Sequence, residues 1–273
     1  MKTLEKKGLV LKCGDALDIK KTFECGQCFR FDMQKDGSFA GAAYGRYIKV
    51  FQTDKGVFIE NGTEDDRDFF FDFFDLGTDY SKIEEELSFD PHFKSTVPYS
   101  HGIRILNQEP WETLCSFIIS QNNNIPRIKK IVSSLCEIFG EKISGCDIKS
   151  FPSAEKISML TEDDLAVIRS GFRAKYISDA AKKVASGEID LENIKKMSYP
   201  DAKNELMKIK GVGKKVADCA LLFSLGFKNA FPIDVWVNRV IGKYYGEGFD
   251  PSYFGKYAGI AQQYLFYYER ESM

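Results

Sequence analysis

Histidine is scarce in this sequence, with only His92 and His101 among 273 residues, which leaves little material for a metal site. Cysteine occurs seven times, an odd number without regular spacing. A disulfide framework is therefore not expected, and a reducing intracellular compartment is. Cys25-Gly-Gln-Cys28 is the one CxxC, and a zinc site needs more ligands close by. The expectation is that no metal and no cofactor is bound. No apolar run reaches membrane-spanning length, and the opening Met-Lys-Thr-Leu-Glu-Lys-Lys lacks a signal core, so no membrane partner is expected. Fixed-period repeats and low-complexity linkers are absent as well.

A general excess of positive charge is also missing. The net charge of −2 argues, on its face, against a polyanionic partner. The average misleads, because residues 60–90 hold 12 acidic and 2 basic side chains, a balance of −10 that leaves +8 on the rest of the chain. A basic surface can still form from Arg127, Lys129, Lys130, Arg173, Lys175 and the lysines between Lys208 and Lys215. What the chain has in abundance is phenylalanine, at 23 residues. With 44% hydrophobic residues it can bury a sizeable, aromatic-rich core.

Residues 1–60 read as β-rich. Phe29 to Phe31, Phe39 to Ala43, Tyr47 to Phe51 and Val57 to Ile59 are short apolar or alternating runs. Lys35-Asp36-Gly37 and Asp54-Lys55-Gly56 separate them as turns. Glu64 to Phe74 is acidic, aromatic and helical in pattern. From about residue 96 the pattern is almost wholly helical. Gly102 to Leu106 is expected to start a short helix, Pro110 opens another to about Ser120, and Pro126 starts the next after three asparagines. The last helix is expected over Tyr253 to Arg270.

One stretch organises the rest: Ile209-Lys210-Gly211-Val212-Gly213-Lys214-Lys215. Helical patterns flank it, with Val216, Ala220, Phe223 and Phe227 on one face downstream. Two close glycines allow a tight turn with uncovered backbone N–H groups, a concavity that suits phosphate. Lys214 and Lys215 then oppose the helix dipole. Either both are solvated or phosphate-bound lysines, or the dipole and the neighbouring cation keep one amine neutral and nucleophilic. Cys219 shares a face with Lys215, and Asp234 follows as a candidate N-cap that can also stand opposite Lys215.

Lys-Gly-Val-Gly-Lys-Lys-Val-Ala-Asp-Cys followed by Pro-Ile-Asp-Val resembles the helix-hairpin-helix plus Gly/Pro-Asp signature of base-excision DNA glycosylases. It is most similar to the 8-oxoguanine DNA glycosylase family. The segment Thr22 to Arg30, with Gly26-Gln27-Cys28-Phe29-Arg30, resembles the Gly-Gln-x-Phe-Arg segment of that family, and the acidic–aromatic connection after it does too. The resemblance implies an α+β chain. An N-terminal antiparallel β-sheet domain (1–95) is followed by a mostly α-helical glycosylase region (96–273) of two subdomains, with the active site between them. Some members of the wider superfamily carry a C-terminal four-cysteine iron–sulfur loop; no cysteine follows Cys219 here, so none is expected.

The site residues follow from the same resemblance. Lys215 is the nucleophile toward the sugar C1′, and Asp234 stabilises the cationic sugar. The carbonyl of Gly26 accepts the N7–H of 8-oxoguanine. Cys219 and Phe266 sandwich the flipped base, Gln262 reads its Watson–Crick edge, and Phe117 belongs to the same substrate-binding group. Gly211, Val212, Gly213 and Lys214 hold the DNA backbone. Asn122 fills the hole left by the base, Phe172 wedges the duplex where the family commonly has tyrosine, and Arg127 and Arg173 read the orphaned cytosine. Such arginine–base contacts are worth on the order of 1–3 kcal/mol each. Trp236 stands where the family often has a histidine near a phosphate, and an indole offers one donor and no charge.

The expected activity is removal of 8-oxoguanine opposite cytosine by a bifunctional glycosylase/AP lyase, working as a monomer. Its setting would be the nucleoid-associated cytoplasm of a bacterium or archaeon, or the nucleus of a eukaryote. Two rivals stay open: a glycosylase of the same superfamily for another damaged base, and a non-catalytic helix-hairpin-helix DNA-binding protein.

Overall fold

The computed structural model describes residues 7–271. The opening Met1 to Leu4 and the two residues after it, expected to hold no signal core, lie outside the described residues. No described helix is long and apolar enough to cross a membrane.

Five strands form one antiparallel sheet: β1 Gly8–Lys12, β2 Phe31–Met33, β3 Phe39–Ala43, β4 Arg46–Thr53 and β5 Gly56–Glu60, in the order β1-β5-β4-β3-β2. The turns expected at Lys35-Asp36-Gly37 and Asp54-Lys55-Gly56 join β2 to β3 and β4 to β5. No strand was expected at β1. It is a five-residue alternation that turns Leu9 and Leu11 inward opposite Ile59 and Val57. Helix α1 Ile19–Glu24, capped by Asp18, was also unread. Against the sheet packs α2 Arg67–Phe73, and the aromatic wealth of the sequence concentrates there. Phe23 stacks on Phe31 at 4.2 Å, with Phe39, Phe70, Phe73 and Phe74 in the same core. Each such side chain contributes about 1.5–3 kcal/mol on burial.

The helical part continues with α3 Tyr80–Leu87, α4 Pro91–Ser100, α5 Pro110–Ser120, α6 Ile125–Phe139, α7 Ala154–Ser158 and α8 Glu162–Ala166. There follow α9 Ala174–Ala185, α10 Leu191–Ile194, α11 Tyr199–Leu206, α12 Lys214–Ser224, α13 Val235–Val240 and α14 Ala258–Glu271. Helix α4 runs across residue 95, where the two halves were expected to divide. The long final helix is shorter than expected. Residues Pro251–Tyr257 are a 3-10 stretch with Gly255 at φ +56° and ψ −138°, so regular helix begins only at Ala258.

The expected helix at Gly102 to Leu106 is absent. Its backbone donors bond to other elements instead: Arg104 N to Thr22 Oγ1 (3.2 Å), Ile105 N to Tyr80 Oη (3.0 Å) and Leu106 N to Gln27 Oε1 (2.8 Å). Side chains thus satisfy a buried backbone that a helix would have satisfied internally. The buried Arg104 completes this seam by donating to the carbonyls of Ala16, Asp75 and Thr78. Lys228 adds an ion pair to Asp75 at 2.8 Å, tying the loop after α12 to the loop after α2.

Candidate active site

The hairpin between α11 and α12 is built as its glycines require. Gly211 sits at φ +79°, and a Cβ there would lie 2.4 Å from the Tyr176 ring of α9. Only glycine satisfies both constraints. Gly213 then opens α12 in extended conformation with no side-chain cap. Neighbouring helices differ: Asn124, Ser198 and Asp234 each accept N–H bonds at the starts of α6, α11 and α13. The first amides of α12 are therefore left to an external acceptor, as at an anion site. Tyr199 and Lys203 clamp the two hairpin helices by bonding the buried Asp218 carboxylate, both at 2.7 Å. Burial pushes the Asp218 carboxyl up, and Lys203 opposes it.

Lys215, the second residue of α12, points across to α5. Its Nζ donates to Ser120 Oγ at 3.0 Å and stands 4.9 Å from the centre of the Phe117 ring. Asp234 caps α13, with Oδ1 accepting from the amides of Trp236 and Val237, both at 2.9 Å. Lys215 and Asp234 line one cavity of about 750 Å³ with Gly26, Phe117, Asn122, Gly213 and Phe266. Trp236 also faces it, as do Phe29, Ser120 and Arg270, three residues that were not expected from the sequence to be site residues. None of residues 60–90 does. The cavity combines flat aromatic walls, an amine, a carboxylate and a turn carbonyl. Such a set suits a planar heterocycle and a nucleophilic amine beside a charge-stabilising carboxylate.

Gly26 holds its place through its neighbours. It adopts φ +82°. Gln263 of α14 donates to the Cys25 carbonyl at 2.7 Å, and the buried Gln27 donates to the carbonyls of Thr22 and Arg104. Cys25 and Cys28 are buried free thiols, and burial pushes Cys25 up to about 11. Among the described residues, no three His, Cys, Asp or Glu side chains gather as a metal site.

Other expected residues lie apart from the cavity. Cys219 and Gln262 are buried beside its walls without lining it. Burial pushes the Cys219 thiol up to about 12, so it stays protonated at neutral pH despite nearby Lys215. Gln262 Oε1 is buried with no hydrogen-bond partner among the described residues. Arg127, Phe172 and Lys214 are exposed beyond the cavity mouth, Phe172 at 47%. Gly211 and Val212 stay in the hairpin; Val212 is core.

Arg173 is held by backbone carbonyls in this structure. Expected to read a base, it is only 3% exposed. Its guanidinium donates to the carbonyls of Gln121, Asn122 and Ser170. Here it fixes the loop that carries Asn122, which sits at the left-handed φ +47° with its own side chain free of hydrogen bonds among the described residues. Burial and the Arg127 charge lower the Arg173 pKa.

A glycine hairpin at an uncapped helix, a lysine and a cap-forming aspartate on one cavity define a class. Residues 115–253 match the profile of the HhH-GPD superfamily of base excision DNA repair proteins. Residues 10–114 match the profile of the N-terminal domain of 8-oxoguanine DNA glycosylase. The chain belongs to the 8-oxoguanine DNA glycosylase family. It is 42% identical to a solved protein called MBOgg1, in complex with a low affinity DNA ligand, with a TM-score of 0.91 over 98% of this chain and 99% of that one. It is 39% identical to the Clostridium acetobutylicum 8-oxoguanine glycosylase/lyase, solved with double-stranded DNA containing cytosine opposite 8-oxoguanine, with a TM-score of 0.89 over 94% of this chain and 93% of that one. An N-glycosylase/DNA lyase of Saccharomyces cerevisiae is 43% identical over 158 residues, 53% of this chain and 42% of that protein. The chain spans about half the length of the curated yeast and Arabidopsis relatives it matches, 42% and 57%.

Proposed function

We propose that the protein removes 8-oxoguanine paired with cytosine from duplex DNA and then nicks the strand. The observation that carries this reading is the cavity where Lys215 and Asp234 meet Gly26 and Phe266. A base inside a duplex is out of reach and must be rotated out, at an unstacking cost of a few kcal/mol. The uncapped amides of α12 receive a phosphate of the same strand, with Lys214 beside them. Asn122, which lines the cavity, fills the hole left by the base, and the exposed Phe172 wedges the opened duplex. Arg127 and Arg173 contact the orphaned cytosine, Arg173 from the loop carbonyls that hold it in the absence of DNA.

Phe266, on the cavity wall, covers one face of the base, and Cys219, buried without lining the cavity, comes against the other when the base is bound. The unpaired Oε1 of Gln262 accepts N–H donors of its Watson–Crick edge. Lys215, steadied by Ser120 and Phe117, gives its lone pair to C1′. The C1′–N9 bond breaks, and the base leaves with that electron pair and takes up a proton. Asp234 stabilises the positive charge on the sugar. Sugar ring opening gives a Schiff base on Lys215; loss of a C2′ proton then expels the 3′ phosphate. A monomer is the working unit of this reading. Its place is wherever the cell keeps its DNA: the cytoplasm of a bacterium or archaeon, or the nucleus of a eukaryote.

Borohydride trapping tests the reading. On duplex DNA with 8-oxoguanine opposite cytosine, the wild-type protein is expected to form a reduced adduct on Lys215, and K215Q none. Base release without an adduct would demote Lys215. Duplex binding by wild type and K215Q alike, with neither base release nor nicking by either, would leave a DNA-binding module.

A further inference from the structure

Helix α14 carries Gln262, Phe266 and Arg270 at four-residue spacing, so the three share one face. Three buried side-chain polar atoms lack a hydrogen-bond partner among the described residues: Ser170 Oγ, Gln262 Oε1 and Arg270 Nη1. Two of them flank the Phe266 ring, one turn to either side. One is an acceptor and the other a donor. Buried polar groups are nearly always paired, so an unpaired donor on the cavity wall at Arg270, with an unpaired acceptor two turns away on the same helix face, points to a ligand that pairs them.

The rest of the Arg270 side chain is already engaged. Nε and Nη2 donate to Glu271 at 3.2 and 2.8 Å. The guanidinium lies 5.5 Å from the Phe266 ring centre and 5.8 Å from that of Tyr267. It faces the cavity beside Gly26, with Nη1 3.8 Å from where a Gly26 Cβ would stand. Nη1 is the one guanidinium nitrogen without a partner among the described residues.

We propose that Arg270 binds the extruded base by donating from Nη1 to a carbonyl oxygen on its five-membered ring. The inference rests on the reading of the cavity given above. A base lying on Phe266 with its Watson–Crick edge toward Gln262 turns its five-membered ring toward Arg270 and Gly26. In 8-oxoguanine that ring carries C8=O, a good acceptor. Guanine has C8–H there and leaves Nη1 buried and unpaired. Arg270 thus favours the lesion and penalises the normal base.

The test is equilibrium binding of wild type, R270M and R270K to duplexes that cannot be cleaved. These carry 2′-fluoro nucleotides of 8-oxoguanine, 8-thioguanine or guanine, or a tetrahydrofuran abasic site. 8-Thioguanine keeps N7–H and C6=O but replaces the oxygen with sulfur, a weak acceptor. R270M is expected to lose about tenfold on 8-oxoguanine, the worth of one charge-assisted hydrogen bond, and little on 8-thioguanine or the abasic duplex. R270K, which keeps a donor, is expected to fall between. Equal losses on the oxo and thio bases, or a loss on the abasic duplex in both variants, would make Arg270 a shape or phosphate contact and overturn the proposal. No loss would overturn it as well. A wild-type protein without preference for 8-oxoguanine over guanine would overturn the proposed function itself, and this inference with it.

Discussion

Asp234 carries two tasks that can be separated. Its Oδ1 caps α13, and its charge faces the cavity that Lys215 lines. Asparagine keeps a cap acceptor and removes the charge, whereas alanine removes both. D234N is expected to unfold within a degree or two of wild type yet excise about a hundredfold or more slowly. D234A is expected to lose about 1 kcal/mol of stability in addition. Thermal unfolding beside single-turnover excision measures both, and wild-type excision by D234N would remove the charge from the mechanism. At this scale the sequence was informative where a residue sits in a contiguous motif, as Lys215 and Asp234 do. Ser120 gave no signal, because its bond to Lys215 joins positions 95 apart. The burial of Arg173 against three backbone carbonyls was equally hidden, because an arginine in a basic loop gives no local sign of it.

The element that decides the site is the hairpin, and its glycines are testable. Gly211 needs both a positive φ and the absence of a Cβ, with the Tyr176 ring pressed against it. G211A is expected to destabilise the protein by about 2 kcal/mol or more, from backbone strain and overpacking together. Denaturant unfolding gives that loss, and duplex affinity should fall with it because the anion-binding amides move. A stability equal to wild type would show that Tyr176 gives way. The hairpin was readable because glycine spacing is a local cause of a local turn. The segment Gly102 to Leu106 was not. Its composition suits a helix, but its donors reach Thr22, Tyr80 and Gln27, and pairing with distant side chains outweighs local propensity.

At the scale of the whole molecule, buried polar ties hold the sheet side to the helices. Arg30, just before β2, pairs with Glu112 of α5 at 3.2 Å and donates to the Lys149 carbonyl between α6 and α7. Burial raises the Glu112 carboxyl to about 7 from the ordinary 4.5, with Arg30 opposing the rise. The folded state therefore holds this proton more tightly than the unfolded chain. The resulting stabilisation is complete below about pH 4.5 and is lost as pH rises through about 7. E112Q lacks the titration. The stability of wild type relative to E112Q is expected to fall by up to about 3 kcal/mol across that window. Chemical unfolding of both proteins at pH 5 and pH 7.5 measures it, and a constant difference would show that Glu112 is ionised throughout.

The sequence by itself determined the strand-rich start, the helical remainder, the phosphate-suited hairpin and the Asp234 cap, and the resemblance added the pairing of Lys215 with Asp234. Each of the first four has a local cause: alternation, helical spacing, turn residues or caps. Only the tertiary structure brought Ser120 and Arg270 to the cavity where Gly26 and Phe266, expected from the resemblance, meet Lys215. These positions span most of the chain, and they come together because two hydrophobic cores, one around the sheet and one around the helices, pack along a shared polar seam. Contact between distant side chains is a property of packing, and no periodicity along the chain records it.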